Sequence, residues 1–124
     1  MKHDLIADCM SIIKNSESIG KKECLVPASS LIKNVLEVMK KNKYIEDFEI
    51  SEKKFKVKLN HRINNCNVIK PRFSVGKNEF DKWKKRYLPA KEFGILILTT
   101  NKGVKDHKEV EKKGIGGKLL CYVY

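Results

Sequence analysis

The chain has 124 residues, a mass of 14.3 kDa and a formal net charge of +12, from 27 lysines and arginines against 15 aspartates and glutamates. A hydrophobic share of 41% excludes a disordered basic tail and suffices for one domain or two packed lobes. The longest aliphatic run, residues 95–98, is far shorter than the roughly 20 apolar residues of a spanning helix, and no secretory signal is recognisable. We predict a folded cytosolic protein with a negatively charged partner: nucleic acid, an anionic membrane surface or an acidic protein.

Lysine dominates the positive charge, because only Arg62, Arg72 and Arg86 are arginines. Lysine suits phosphate neutralisation and arginine suits bidentate contacts to base edges, so the composition favours contact with a nucleic-acid backbone. The cysteines are scattered and form no C-x-x-C pair. We therefore predict reduced thiols that pack as small hydrophobes, with no metal site and no cofactor.

The first predicted helix covers residues 4–15, with Asp4 as its N-cap. Its apolar face is predicted from residues at helical spacing: Leu5, Cys9 and Ile12, with Ile6 and Ile13 beside them. A short strand is predicted over residues 21–26, followed by a turn in which a serine caps a second helix. The apolar stripe of that helix comprises Leu31, Val35 and Val38, supported by Ile32, Leu36 and Met39.

From Tyr44 onward the hydrophobic period changes to that of strands. Residues 44–50 predict a strand, residues 51–53 a turn, and residues 54–59 a second strand with strict alternation of lysines and apolar side chains. The lysine face has two interpretations, a surface that lines RNA or an outer face that contacts only water; the second is more common for half-buried strands.

The polar residues 60–67 predict a boundary between an N-terminal lobe, residues 1–62, and a C-terminal lobe, residues 63–124. In the second lobe we predict a buried strand over 93–98, a polar loop over 99–103, and a short helix from Asp106 to Lys113 that ends at Gly114. Residues 119–124 are apolar on both faces, which predicts a central or covered strand. The predicted fold class is α/β (α+β): an α-β-α-β-β lobe followed by a mainly β lobe with a short helix.

The glycine-rich segment 114–118 resembles a phosphate-binding loop but fails its requirements, because Leu119 stands where a Walker loop needs Ser or Thr. The glycines also precede a strand instead of a helix. The segment is better interpreted as a strip poor in side chains that another backbone can approach closely.

No catalytic constellation is evident in the sequence. A triad of Thr99, Asp106 and His107 is conceivable, but His107 is predicted to be a surface residue on a lysine-rich helix, and a triad histidine needs a buried orienting carboxylate. No G-x-S-x-G elbow is present. We predict that the chain is not an enzyme.

The loop over residues 99–103 has two interpretations. Its hydroxyl, amide and ammonium side chains can bind sugar, phosphate and base edges from a rigid strand, and the glycine strip follows across one short helix. Alternatively, the loop is only a turn and a helix cap. Composition does not decide between them.

Several motifs in order carry a family resemblance. They are Asp4-Leu5-Ile6-Ala7-Asp8 with Ile13-Lys14-Asn15, Pro27-Ala28-Ser29, Tyr44-Ile45 with Phe48, Ile69-Lys70-Pro71-Arg72-Phe73, Arg86-Tyr87-Leu88-Pro89-Ala90, and Gly103-Val104 with Gly114-Ile115-Gly116-Gly117 and Tyr122-Val123-Tyr124. The sequence resembles the universal family of the eighth protein of the small ribosomal subunit, in its archaeal or eukaryotic branch.

The resemblance implies a two-lobed protein that acts as a structural constituent of the small subunit. It implies binding to a helix of the central domain of small-subunit rRNA, assembly of the platform, neighbouring small-subunit proteins as partners, and no small-molecule substrate. A basic module that binds an acidic protein is the alternative, suggested by the two-faced apolar C-terminal strand.

In the family the main RNA contact lies on a hydroxyl-rich loop and a Gly-Gly strip. The residues predicted to bind RNA here are Thr99, Thr100, Asn101, Lys102, Gly103, Gly116, Gly117 and Lys118, with Lys70 and Arg72 on phosphate and Tyr87 at the rim or in the core. Asn101 departs from the family by replacing a hydroxyl residue. Lys118 is a base where bacterial members carry an acid, which favours a phosphate contact.

Overall fold

The computed structural model describes residues 5–70, 72–76, 79–90 and 93–124, which form four helices and two antiparallel sheets. The elements in chain order are α1 (Leu5–Ser18), β1 (Glu23–Pro27), α2 (Ser30–Lys41), β2 (Ile45–Glu49), β3 (Lys54–Leu59), β4 (Cys66–Val68), β5 (Ser74–Val75), α3 (Phe80–Tyr87), β6 (Ile95–Thr100), β7 (Gly103–Asp106), α4 (His107–Lys113) and β8 (Gly117–Val123). The α+β class and the order α-β-α-β-β in the first half are confirmed. The second half contains two short helices where one was predicted.

The first sheet has the strand order β1-β3-β2. Its central strand, β3, alternates as predicted, with Phe55, Val57 and Leu59 buried on the inner face. On the outer face Lys56 pairs with Glu23 at 3.3 Å and Lys58 with Glu49 at 3.5 Å. Because neighbouring strands already supply carboxylates to these two lysines, this face offers less free positive charge than its sequence suggests.

The second sheet is built around β8, which pairs with β4, β5 and β6, while β7 continues the sheet beyond β6. Both faces of β8 are buried by this chain, as at Leu119, Leu120 and Cys121. The central position predicted from its apolar character is confirmed. Burial within this chain explains why β8 is apolar on both faces. This apolar character, which suggested a protein-binding strand, therefore no longer indicates an external partner.

Two helices join the sheets into one hydrophobic interior. The helices α1 and α2 pack against the inner faces of both sheets, while α3 and α4 cover the opposite face of the second sheet. The division at residues 62 and 63 stays a prediction, and the larger hydrophobic cluster contains residues from both sides of it, such as Val57 and Ile97. No helix among the described residues combines the length and apolar character needed to cross a bilayer.

Local sequence signals place the helix ends. Ser29 caps α2 by accepting a hydrogen bond from the Ile32 N–H at 3.1 Å. Asp106 caps α4 by accepting from the Glu109 N–H at 2.9 Å, and Gly114 ends that helix in the left-handed conformation. These predicted caps are confirmed, whereas the predicted cap Asp4 lies outside the described residues.

The buried face of α1 agrees with the prediction only in part. Ile6, Cys9, Met10 and Ile13 are buried, while Leu5 is 37% exposed. Ile6, Cys9 and Ile13 were part of the predicted face, whereas Met10 was not, so the observed face is rotated slightly away from Leu5. The helix contains apolar residues around much of its circumference, so contacts with β1 and β4 decide which of them are buried.

His107 is buried, which corrects the prediction of a surface histidine. Its Nδ1 accepts a hydrogen bond from the Leu96 N–H at 3.0 Å. Burial, reinforced by nearby Lys84, lowers the pKa of His107 from 6.5 to about 4 against the opposing effect of Glu111 and Asp106. This histidine is a neutral structural acceptor that joins α4 to β6.

The scattered cysteines converge in the interior. Cys9, Cys24, Cys66 and Cys121 come from different elements, are all buried, and lie near enough to influence one another's ionisation. Burial raises the pKa of every one of these thiols, to about 12 for Cys66. The four are free thiols, as predicted.

We expect the native protein to react slowly with a thiol-specific disulfide reagent at pH 8, because the thiolate is the nucleophile and these thiols are protonated and shielded. In denaturant all 4 cysteines should react at the rate of a simple thiol. The measurement is the time course of released chromophore in each state. Rapid labelling of native protein would contradict the buried cluster.

Candidate nucleic-acid interface

A groove opens at one end of the second sheet, where β6 ends and β8 begins beside β5. Apart from one lysine and one valine, the residues that line it are glycines or have short polar side chains: Ser74, Val75, Gly76, Thr99, Thr100, Asn101, Gly116, Gly117 and Lys118. Six residues predicted to bind RNA are thus brought together. Sequence reasoning missed the contribution of residues 74–76, because β5 has only two residues and no detectable hydrophobic period.

Two glycines allow the three strands to approach each other closely. A Cβ on Gly116 would lie 2.4 Å from the Val75 carbonyl oxygen, and one on Gly117 would lie 2.6 Å from the Thr99 carbonyl oxygen. Both obstacles are backbone atoms, which a change of rotamer cannot move. The predicted close backbone approach is confirmed, and the glycines form the floor of the groove.

Lys118 is the charged centre of the groove. In the strand register it lies opposite Thr99 of β6 on one side and Ser74 of β5 on the other. Its side chain is exposed, and no carboxylate of the described residues is within ion-pair distance of it. A lysine flanked by two hydroxyl residues and not neutralised internally suits a phosphate or another anion.

The hydroxyl and amide side chains differ in their availability. The Thr100 Oγ1 donates to the Gly103 carbonyl at 2.8 Å and accepts from the Lys102 N–H at 3.1 Å, so this hydroxyl closes the turn between β6 and β7. Within the described part of the chain, the side chains of Ser74, Thr99 and Asn101 have no hydrogen-bond partner. These three side chains are therefore available for hydrogen bonding in the groove.

The predicted loop over residues 99–103 is shorter than expected. Thr99 and Thr100 belong to β6, where they pair with Val104 and Gly103 of β7, so only two residues form the turn. Lys102 and Gly103 line a separate depression against α2. The structure therefore places these two predicted residues beside the groove instead of within it.

Lys70 and Arg72 lie on the segment that connects β4 to β5. The Ile69 N–H donates to the Leu120 carbonyl, and the Phe73 carbonyl accepts from the Leu119 N–H, so the residues that precede Lys70 and follow Arg72 are bonded to β8. Both cations are exposed. Arg72 is two residues from Ser74, which pairs with Lys118, so Arg72 extends the positive charge beyond the groove.

Tyr87 does not line the groove and is half-buried in a row of aromatic rings. Its ring centroid is 5.4 Å from that of Tyr122 and 6.4 Å from that of Trp83, which in turn stacks on Phe73 at 4.6 Å. Trp83 and Tyr87 lie on α3, which was not among the predicted helices. Their partners Phe73 and Tyr122 are distant in sequence, so this row of rings was not predictable from local spacing.

No group of three or more metal-ligating side chains suited to an ion occurs among the described residues. The groove has few bulky side chains and many hydrogen-bonding groups. Such a surface can contact sugars, phosphates and base edges of a folded nucleic acid.

Comparison with known proteins identifies the family of the chain. A family model described as Ribosomal protein S8 matches residues 4–124. The chain is similar to the small ribosomal subunit protein uS8 of Picrophilus torridus (50% identity) and of Thermoplasma acidophilum (52% identity), each over 100% of both chains. It is also similar to uS8 of Methanococcoides burtonii, with 52% identity over 98% of this chain and 97% of the relative.

These relatives are archaeal, in agreement with the predicted branch, and their names describe ribosomal proteins, not enzymes. The matches span nearly the whole sequence, including both sheets and the groove. The chain belongs to the ribosomal protein S8 family and is a ribosomal protein.

Proposed function

We propose that this chain is a structural protein of the small ribosomal subunit that binds a helix of the central domain of small-subunit rRNA and helps to assemble the platform. Family membership supports the place in the small subunit. The contact with rRNA rests on the groove, where two glycines let three strands converge around Lys118. Shape and hydrogen bonding, more than charge, would then determine which RNA is bound.

The neutral and the charged residues of this surface contact different parts of the RNA. Thr99 and Asn101 contact sugar or base edges from rigid positions, and Lys118 contacts phosphate between them. Lys102, Lys70 and Arg72 neutralise phosphates around the groove. If about six phosphates are engaged, the logarithm of the affinity falls with the logarithm of salt concentration with a slope of roughly −4 to −5.5.

Thr99→Val and Asn101→Ala are expected to weaken binding to a central-domain rRNA transcript by roughly 3- to 10-fold each, since each removes one or two net hydrogen bonds. Thr100 is unsuitable for this test, because its hydroxyl also closes the turn. Affinity is measured by titration at fixed salt, with circular dichroism to show an unchanged fold.

The matched control is Asn64→Ala, which removes an exposed amide next to Tyr124, at the opposite end of β8 from Lys118. It should leave the affinity unchanged. Equal affinity of all three variants and the unmodified protein would place the RNA contact elsewhere. No preference of the unmodified protein for the transcript over unrelated RNA of equal length would refute direct rRNA recognition.

A further inference from the structure

The helix α3 carries one cation that is mostly buried and three that are exposed. Lys84 points inward: its side chain is only 11% exposed and pairs with Glu111 at 3.0 Å and Asp81 at 3.4 Å. Lys82, Lys85 and Arg86 are exposed, and no carboxylate of the described residues lies within ion-pair distance of them. The outward side therefore carries three positive charges that this part of the chain does not neutralise.

Aromatic rings contact two of the three cations on this side, Arg86 and Lys82. The Arg86 guanidinium carbon lies 5.4 Å from the ring centroid of Phe73, 5.6 Å from that of Trp83 and 5.5 Å from that of Tyr87. The Lys82 Nζ is 5.1 Å from the centroid of Trp83. An arginine already positioned on rings loses less conformational freedom when it binds a ligand, and its planar fork matches the oxygens of a phosphate.

This side of α3 adjoins the groove. Phe73, which carries one contact of Arg86, directly precedes Ser74, and Ser74 pairs with Lys118. A polyanion that occupies the groove can therefore continue over α3 without leaving the protein surface. The three unneutralised positive charges fit the phosphates of a nucleic-acid backbone better than a partner that lacks negative charge.

We propose that the outward side of α3, with Arg86 as its anchor and Lys82 and Lys85 beside it, is a second RNA-binding surface that takes phosphates of the strand leaving the groove. This inference rests on the proposed function, because it assumes that the groove binds rRNA. The groove supplies recognition through hydroxyl and amide groups, while α3 supplies affinity through phosphate contacts that carry little sequence information.

The decisive variant is Arg86→Gln, compared with Lys53→Gln as the matched control. Lys53 is an exposed lysine in the turn between β2 and β3, at the first sheet. Loss of one phosphate contact should flatten the salt slope of rRNA binding by about 0.7 to 0.9 for Arg86→Gln and leave it unchanged for Lys53→Gln. Equal slopes for both variants and the unmodified protein would overturn the proposal.

The single tryptophan provides a second readout, because Trp83 lies in the stack beneath Arg86. We expect its fluorescence to change when the rRNA transcript binds, and no change at saturation would overturn the proposal. If Arg86→Gln disturbs the free protein's spectrum, Lys85→Gln replaces it in the salt titration, with the same expected direction.

The proposed function and this inference fail in different ways. If the unmodified protein does not prefer the rRNA transcript to unrelated RNA, the proposed function is wrong. If it does, but Arg86→Gln and Lys85→Gln keep its salt slope, only the second surface is wrong. Variants at Thr99 and Asn101, which are neutral, should lower affinity without altering that slope.

Discussion

Gly116→Ala and Gly117→Ala are each expected to destabilise the protein by about 1–3 kcal/mol, the usual cost of inserting a methyl group where no space exists. The new Cβ would meet backbone oxygens of β5 or β6, so strands must separate to admit it. Separation also moves Thr99 and Ser74 away from Lys118. We therefore expect rRNA affinity to fall by about tenfold or more, equivalent to about 1.4 kcal/mol.

Gly76→Ala is the matched control, because Gly76 lines the same groove but a Cβ there would lie 3.4 Å from the flexible Glu79 side chain, an ordinary contact. The free energy of unfolding in urea should stay close to that of the unmodified protein. Equal stability of all three alanine variants would show that the groove floor tolerates a side chain.

Lowering the pH from 7 to 4 is expected to remove up to about 3 kcal/mol of stability through His107 alone. Its pKa is about 4 in the folded protein against 6.5 for the ordinary side chain. A group with a lowered folded pKa stabilises the fold above the unfolded pKa. The unfolded state binds the proton first as pH falls, so this contribution is lost progressively from about pH 6.5 toward pH 4.

His107→Asn isolates this effect, because the Asn Oδ1 can accept the Leu96 N–H in place of Nδ1 but does not titrate. The variant should be less stable at pH 7, where it lacks the packed ring, and its stability should vary less between pH 6.5 and 4. His61→Asn, at an exposed residue with positive φ, is the control. Parallel pH profiles for His107→Asn and the unmodified protein would contradict the assignment.

Local chemistry explains the correct parts of the predicted fold. The caps at Ser29 and Asp106 depend on side chains within three residues, and the alternation of β3 depends on the strand period alone. The burial of His107 and the rotation of α1 depend on which other elements pack against them. Periodicity contains no information about those partners, so the predicted surface position of His107 was wrong, and the predicted face of α1 was wrong at Leu5.

The same distinction holds for the groove. The glycine strip and the hydroxyl residues are each contiguous in sequence and were found together with the help of the family resemblance. Their meeting across three strands, and the addition of residues 74–76, depend on the register of β8 with β5 and β6. The aromatic stack beneath Arg86 includes Phe73, Trp83 and Tyr122. These residues are far apart in the sequence, so the stack could not be predicted from it.

The central position of β8 has a consequence for the order of folding during synthesis. The strand that pairs with β4, β5 and β6 follows all three in the chain, so a ribosome makes the middle of the second sheet after its flanks. The first sheet, α1 and α2 can assemble earlier from nearby segments, whereas β4 and β5 must wait, unpaired with β8, for a strand about 50 residues downstream. The groove is therefore completed only after β8 has been synthesised, because two of its glycines directly precede or begin that strand.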